Sequence, residues 1–319
     1  MMYTRIEYIL VHISLLMLFL VTLLDLIDLF YQKDKLYQFN RNNMKIVFLC
    51  TTGFLIIRCF QAGHLPLGNL YESMIFLSWI FSLLYLMSYV RNQNRLTRTV
   101  LGPSATFINA FATLSLPDQM QYSTSLVPAL QSHWLMMHVS AMLISYATSL
   151  CGSLLAIVLL SLFFSELGSY PIKTLGSNWK ENIYIFYDTN YQVLNKKIDV
   201  KGYFYLLIAT VQKCQIINYL DRWTYQLISL GFSFLTIGIL SGSVWANEAW
   251  GSFWSWDPKE TWALVTWLIY AIYLHIKIDE RWNGEIPAAA ASTGFSLIWI
   301  CFLGVNLLGI GLHNYGWLT

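Results

Sequence analysis

Tryptophan is concentrated in one short part of this 319-residue sequence. Six of its thirteen tryptophans fall within residues 245–267, together with the glycine Gly251 and the acid Asp257. An interfacial aromatic belt would instead spread Trp and Tyr over many helix ends at both faces of a membrane. Flat indole rings with N–H donors suit a planar aromatic ligand, or a quaternary ammonium held by cation–π contact. The pattern therefore favours ligand binding over a belt.

The tryptophan segment, residues 246–259, ends in the sequence of a helix start. Asp257 can act as the N-cap, Pro258 as the first helical residue and Glu260 as the return partner of a capping box. We expect this structural role for both acids. It does not explain the tryptophans that precede them.

Six histidines are the other candidate ligand-binding residues: His12, His64, His133, His138, His275 and His313. A histidine inside a membrane is costly to bury and is by default a candidate for function. The alternative is a packing histidine whose ring hydrogen-bonds to a neighbouring group. Depth in the membrane separates these possibilities, so the helices that carry the histidines must be placed first.

The composition is that of a polytopic membrane protein. The chain is 56% hydrophobic and 11% charged, with a mean hydropathy of +0.52. Ordinary soluble domains contain about 25% charged residues, so this chain has too few charges to cover a soluble surface. Its net charge of +2 gives no sign of a nucleic-acid partner.

Apolar runs of about 17 to 25 residues predict eight transmembrane helices in one all-α membrane domain, residues 1–319. The runs cover roughly 7–29, 45–61, 71–90, 99–115, 134–164, 223–245, 260–278 and 291–312. Segment 165–222 is polar and has little apolar periodicity, which predicts a loop.

The basic residues predict the orientation. Sixteen of the 19 lysines and arginines fall on one side of the predicted spans, in the loops 31–45, 91–98 and 165–222 and the loop with Lys277 and Arg281. By the positive-inside rule, that side is the cytoplasm or its equivalent. Both termini, loops 62–70 and 116–133, and the tryptophan segment are therefore expected to face the opposite compartment.

The five cysteines form neither a Cys-x-x-Cys pair nor a metal-ligand spacing. Four of them lie in apolar stretches, where cysteine usually acts as a small hydrophobic residue. We therefore expect the protein not to carry out thiol–disulfide exchange itself. The apolar run from Ile9 to Leu24 lacks a small-residue cleavage site, which predicts a retained first span.

Residues 250–257 match the pattern W-G-x-x-W-x-W-D. With this pattern the chain resembles the haem-handling WWD family of cytochrome c maturation proteins. The eight predicted spans, the length and the run HLPLGNLYES at 64–73 resemble the plastid-encoded members of that family. The resemblance covers most of the chain and is weakest over segment 165–222.

Helix geometry sorts the histidines by depth. At a rise of 1.5 Å per residue, His138 lies about 8 Å inside the fifth span, and His313 about 32 Å from the start of the last. Both share the layer of the tryptophan segment, where two imidazole nitrogens could each reach one iron at about 2 Å. We therefore predict a bis-histidine haem site there. His275 lies about 22 Å beyond Glu260, where no other histidine of this chain shares its depth.

The resemblance implies the same three axial ligands to haem iron, His138, His275 and His313. A fourth histidine would come from a CcsB-type membrane protein. The resemblance also implies a haem-packing group made of Trp250, Gly251, Trp254, Trp256 and Asp257, in which the glycine would allow close backbone approach.

The implied activity is covalent attachment of haem b to apocytochromes c, such as cytochrome f and soluble c-type cytochromes. The thiols of their Cys-x-x-Cys-His motif would add to the haem vinyl groups, with thiol-reducing membrane proteins as further partners. This chain would orient haem within a cytochrome c synthase complex and would supply no catalytic nucleophile. The implied location is the chloroplast thylakoid membrane; a cyanobacterial or bacterial inner membrane would give the same topology.

The remaining histidines have structural interpretations. His133 is expected to be solvated and His12 to be a packing histidine. The loop with His64 would roof the haem site, and Asn69 and Glu72 would form a helix cap there.

Two other functions remain open at this stage. A haem transporter or chaperone without ligation activity would need the same ligands. A proton or solute transporter would need paired acids inside the spans, and only Asp25 and Asp28 qualify, at a helix end.

Overall fold

Long helices make up nearly all of the computed structural model, which describes residues 2–31, 34–90, 95–117, 121, 132–167, 200–279, 282 and 284–305. No strand occurs among these residues. The helices are α1 (Met2–Tyr31), α2 (Asp34–Ala62), α3 (Leu70–Val90), α4 (Arg95–Ala110), α5 (His133–Leu167), α6 (Val200–Trp250), α7 (Pro258–Ile278) and α8 (Glu285–Trp299). A π-helical turn, Phe111–Ser115, follows α4, and another, Ile300–Gly304, follows α8.

Seven helices in the described part of the chain are long and apolar enough to cross a membrane. They are α1, α2, α3, α5, α6, α7 and α8, the last extended by its π-turn. The remaining predicted span, α4, has 16 residues and carries two arginines, Arg95 and Arg98. Seven of the eight predicted spans therefore meet the length and hydropathy expected of a membrane-crossing helix, and α4 does not. The prediction of an all-α, multi-pass membrane protein is confirmed.

The structure corrects the predicted loop 165–222. Helix α5 runs to Leu167, α6 begins at Val200, and residues 168–199 lie outside the described residues. Polar side chains lower the hydropathy of residues 200–222, but no proline interrupts residues 200–250, so the backbone can stay helical. With 51 residues, α6 is about 76 Å long, well over the roughly 30 Å hydrocarbon thickness of a bilayer.

Helices α5 and α6 form the most extensive helix pair, and they carry the candidate site. A Cβ atom added at any of three α6 glycines, Gly231, Gly238 or Gly242, would overlap α5 side chains. Small residues at such an interface let two membrane helices approach closely. Two α5 side chains then reach α6 carbonyl oxygens: Ser145 Oγ donates to Gly231 at 2.8 Å, and His138 Nδ1 donates to Gly238 at 2.7 Å.

A buried ion cluster joins α1, α2 and α3 at the end of the bundle where α1 and α3 begin. Arg58 contacts the carboxylates of Glu7 and Glu72, each at 2.9 Å, and donates to the backbone oxygen of Gln121 at 2.8 Å. The backbone N–H of Glu72 donates to Asn69 Oδ1 at 2.8 Å, which confirms the predicted helix cap. Removing one partner of a buried ion cluster leaves uncompensated charge, so this cluster helps to fix the helix ends.

A second polar network holds the opposite ends of α1, α3 and α4 together. Asp25 and Asp28 are both buried. The Tyr85 hydroxyl donates to Asp25 at 2.7 Å, while Arg95 and Arg98 contact Asp28 at 3.3 and 3.5 Å. Since each acid has a donor or a cation beside it, the two carboxylates serve helix packing.

Candidate functional site

A partly open cavity lies between α5, α6, α7 and the π-turn after α8. The space between its walls is about 810 Å³, a volume that includes open solvent at the mouth of the cavity. Its walls are largely apolar, and they include Val139, Met142, Leu143, Ile239, Ala263 and Phe302. The cavity therefore suits a largely apolar ligand that also meets a few polar groups.

His138 is the cavity residue with the clearest ligand geometry. Its Nδ1 lies 2.7 Å from the carbonyl oxygen of Gly238. A carbonyl oxygen can only accept, so Nδ1 carries the proton, and Nε2 carries the lone pair of the neutral ring. Metal-ligating histidines typically hold their second ring nitrogen by such a hydrogen bond. His138 is thus oriented as an iron ligand would be.

Gly242 makes room for this ring. A Cβ atom added there would lie 2.5 Å from His138 Nδ1 and 2.7 Å from its Cε1. The sequence reasoning missed this residue, although Gly242 stands between two serines within an apolar run. A group of small residues in a membrane helix is the signal that could have found it.

The tryptophan segment begins where α6 ends. Trp250 is the last residue of α6 and packs edge-to-face on Trp245, with ring centroids 4.8 Å apart. Gly251 has a φ of 76° and donates its N–H to the carbonyl of Asn247 at 3.0 Å. This left-handed residue ends the helix. No protein atom among the described residues lies within 4 Å of a Cβ placed there, so within the protein the requirement for glycine is conformational. The close approach of this backbone to haem stays a prediction.

The next residues contribute to the wall of the cavity. Phe253 and Trp254 line it together with His138. Trp256 is 70% exposed, and its ring centroid lies 6.0 Å from that of Trp254. Its φ of 57° is rare for a bulky residue, and such backbone strain is concentrated at functional sites. The structure thus places Trp254 at the same cavity as His138 and leaves Trp256 exposed beside Trp254, while Trp250 packs on Trp245.

The capping box predicted after the tryptophan segment is present. Asp257 Oδ2 accepts from the backbone N–H of Lys259 at 3.2 Å, and Glu260 Oε2 accepts from that of Asp257 at 3.2 Å. Glu260 also accepts from the N–H of Ser255 at 2.8 Å. Both acids therefore hold the end of the segment against the first turn of α7.

Two of the three predicted axial histidines lie away from this cavity or outside the described residues. His275 is exposed near the end of α7, about 25 Å along the helix axis from Pro258. His313 lies outside the described residues. Of the predicted iron ligands, the described structure therefore places His138 at the cavity.

His12 and His133 have the structural settings expected of them, whereas the roofing role of the loop with His64 stays a prediction. The Nδ1 of His12 donates to the carbonyl of Tyr8 at 2.8 Å, and the two rings lie 3.8 Å apart. His133 is exposed at the first turn of α5. His64 donates from Nδ1 to the carbonyl of Leu65 at 2.9 Å.

The cavity also contains polar residues that the sequence reasoning did not assign to the site. The Tyr146 hydroxyl and the Cys301 sulfur lie 3.3 Å apart, and the Cys301 sulfur lies 3.9 Å from the carbonyl oxygen of Lys259. Cys301 belongs to the π-turn after α8, and π-turns are frequent at functional sites. The sequence signal that could have indicated this part of the site is Lys259, a charged residue at the start of an apolar span.

The metal-ligating side chains of the described residues do not form a site for a bare metal ion. Within the described ranges, no group of three or more His, Cys, Asp and Glu side chains could hold one. A porphyrin, which supplies nitrogen ligands to its own iron, needs axial ligands alone from the protein. The residues of the cavity therefore fit haem better than a free ion.

The known proteins that are similar to this chain are cytochrome c assembly and biogenesis proteins. The family model described as "Cytochrome C assembly protein" matches residues 67–313. The chain is 65% identical to "Cytochrome c biogenesis protein CcsA" of Adiantum capillus-veneris and 50% identical to that of Marchantia polymorpha, over the full length of both chains in each case. To the protein of the same name from Pinus thunbergii it is 50% identical, covering all of this chain and 99% of the relative.

The fold is also similar to a solved structure, "Cytochrome c Heme Lyase CcmF". The TM-score is 0.64 at 15% sequence identity, over 94% of this chain and 46% of that one. This chain thus corresponds to about half the length of CcmF, and at this identity the likeness concerns the fold. Because the family model covers most of the chain, including His138 and the tryptophan segment, the chain belongs to the cytochrome c assembly protein family, which acts in cytochrome c maturation.

Proposed function

We propose that this protein binds haem b in the cavity beside His138 and, together with a CcsB-type membrane protein, presents it for covalent attachment to apocytochromes c. The observation that carries this proposal is the His138 ring. Its Nδ1 is held by the Gly238 carbonyl at 2.7 Å, and His138 lines a largely apolar cavity that Trp254 also lines. Family membership supports haem handling.

In this proposal, histidines would bind the haem iron and tryptophans would pack around the haem. His138, through Nε2, and His313 would hold the haem iron. Trp254 would pack against the haem, and Trp250 and the exposed Trp256 would flank the side from which an apocytochrome arrives. Two histidine ligands would leave no position at the iron for oxygen.

The attachment chemistry needs orientation more than a catalytic group. Each thioether forms when a cysteine S–H adds across a vinyl C=C: the sulfur bonds to one carbon, and the proton goes to the other. No oxidant is consumed and no group leaves. Holding the vinyl groups near the two thiols converts an intermolecular step into a positioned one, which agrees with the absence of a Cys-x-x-Cys pair in this chain.

His275 would hold haem before it reaches this site. It is exposed on α7, on the same surface as the exposed Leu268 and Ile272. A polar ring on an apolar helix surface is costly in lipid and is stabilised by a partner. A histidine of the CcsB-type protein would supply the second ligand, so haem enters from the basic side of the membrane.

The compartment follows from the relatives and the charge pattern. Similar proteins in plants support a chloroplast location, and we place the chain in the thylakoid membrane. The tryptophan segment then faces the lumen, since the basic loops face the stroma. Thiol-reducing membrane proteins would keep the apocytochrome cysteines reduced.

Two alternatives differ in their support. A haem chaperone without ligation activity would use the same cavity. The proposed synthase differs from such a chaperone in that, together with its partner, it would form thioethers in a host that has no other ligation system. A proton or solute transporter is disfavoured, because the buried Asp25 and Asp28 are engaged by Tyr85, Arg95 and Arg98.

The test is the absorption spectrum of the full chain purified with its CcsB-type partner. We expect a reduced bis-histidine b-type spectrum in the wild type, weakened in His138→Ala and His313→Ala through the outer site and in His275→Ala through the inner one. A wild-type protein that remains without haem after haemin is added would refute the proposal.

A further inference from the structure

The Gly238 carbonyl oxygen that orients His138 accepts a second side-chain hydrogen bond. His138 Nδ1 donates to this oxygen from α5 at 2.7 Å, and Ser241 Oγ donates to it from within α6 at 3.1 Å. The geometry of an α-helix adds a third donor, the backbone N–H of Gly242, four residues further along α6. A carbonyl oxygen has two lone pairs, so the three donors compete for its electron density.

A serine that donates to a carbonyl of its own helix is by itself ordinary. Ser82, which is buried on α3, donates in the same way to the Trp79 carbonyl at 2.7 Å. Such a bond satisfies the hydroxyl and slightly weakens the helix. Ser241 differs from these serines in its acceptor, since the carbonyl that it contacts also holds the candidate iron ligand His138.

The contact between Ser241 and Gly238 is shielded from solvent. Ser241 is buried, and α5 lies close to α6 here, since a Cβ atom added at Gly238 would lie 2.6 Å from Met142 Sδ. In such surroundings of low dielectric a hydrogen bond is electrostatically stronger than in water. The hydroxyl hydrogen is shared, because Ser241 Oγ also lies 2.8 Å from the Ile237 carbonyl oxygen. Ser241 therefore withdraws some electron density from the Gly238 carbonyl, less than an undivided donor would.

We infer that Ser241 is a positioning residue that weakens the hydrogen bond from His138 to Gly238 and so raises the reduction potential of haem bound at His138. The inference rests on the proposed haem-binding function and names a residue that tunes that site. A histidine whose second ring nitrogen donates to a strong acceptor becomes a more basic ligand, and a more basic ligand stabilises ferric over ferrous iron. A weakened acceptor has the opposite effect, and hydrogen bonding around the ligands is one means by which proteins set haem potentials. A higher potential keeps more of the bound iron ferrous at a given ambient potential.

The test measures the midpoint potential of the haem iron by spectroelectrochemical titration of the purified full chain in a His275→Ala background, which leaves the site at His138. The variants are Ser241→Ala, which removes the hydroxyl, and Ser241→Thr, which keeps one. The matched control is Ser82→Ala, which removes a buried hydroxyl with an equivalent 2.7 Å bond inside α3. Haemin affinity, the absorption bands of the reduced haem and thermal stability are recorded on the same samples.

We expect Ser241→Ala to lower the midpoint potential. Loss of a whole hydrogen-bonding partner changes metal affinity by about 10- to 100-fold, so removal of one shared competitor should change the ratio of ferric to ferrous affinities by less, about threefold. At about 59 mV per tenfold for one electron, this change lowers the potential by about 30 mV. Ser241→Thr and Ser82→Ala should keep the wild-type potential, and all variants should keep the histidine-ligated bands.

Several results would overturn the inference and leave the proposed function standing. They are an unchanged or higher potential in Ser241→Ala, an equal shift in Ser82→Ala, and a potential of Ser241→Thr equal to that of Ser241→Ala. Loss of haem binding in Ser241→Ala would also overturn it, because that loss would assign the hydroxyl a structural role. A chain with wild-type Ser241 that binds no haem overturns both the inference and the proposed function.

Discussion

The substitution Gly242→Ala tests whether the packing of α5 on α6 creates the candidate iron ligand. The new methyl carbon would lie 2.5 Å from His138 Nδ1, whereas ordinary contacts begin near 3.4 Å, so the ring must move by roughly 1 Å. Such a shift strains or breaks the 2.7 Å hydrogen bond to Gly238. Loss of the group that orients a metal-ligating histidine lowers metal affinity by about 10- to 100-fold. We therefore expect haem to bind about 10 to 100 times more weakly.

The assay is a haemin titration of the purified chain in a His275→Ala background, followed by the absorption of the reduced haem. The matched control is Gly53→Ala, whose Cβ would lie 3.5 Å from Leu10 Cδ1, an ordinary contact. Both changes gain about 1 kcal/mol of helix propensity, so a difference between them reports the His138 contact. Wild-type affinity and spectrum in Gly242→Ala would show that the position of the His138 ring does not govern haem binding.

Three further substitutions separate stability from ligand binding. Arg58→Met leaves the buried Glu7 and Glu72 without their cation and should lower the free energy of unfolding by about 3–5 kcal/mol; a melting temperature in detergent equal to that of Arg58→Lys would contradict this. Asp257→Ala removes the N-cap of α7 and should cost about 1 kcal/mol, whereas Asp257→Asn keeps most of the cap, a difference measurable by chemical denaturation. Trp256→Gly relieves a φ of 57°, a strain of about 1 kcal/mol, so thermal stability should hold or rise while haem attachment falls; lower stability would show that the indole ring stabilises the fold.

The predictions from sequence succeeded where the determinants are local. The apolar runs and their lengths depend on consecutive residues, and the all-helical membrane fold follows from them. The caps at Asn69 and Asp257 were also predictable, because each cap is formed by residues within a few positions of one another. The loop prediction for residues 200–222 failed, since hydropathy measures the preference of side chains for lipid, whereas helix continuation depends on the backbone.

The site depended on contacts between distant residues. His138 and Gly238 are one hundred positions apart in the chain, and their hydrogen bond exists because α6 glycines allow α5 to approach. Nothing in the tryptophan pattern indicates that Trp254 lines the cavity, that Trp250 packs on Trp245 or that Trp256 is exposed with a positive φ.

The sequence by itself therefore determined the membrane class, most of the helical segments and the residue types from which the haem site is proposed, because composition, periodicity and the W-G-x-x-W-x-W-D pattern are properties of neighbouring residues. The tertiary structure alone decided which of those residues meet. It selected the protonated nitrogen of His138 through the Gly238 carbonyl, and it brought Lys259, Tyr146 and Cys301 to one cavity. These relations arise from helix packing, in which residues far apart in the chain become neighbours in space.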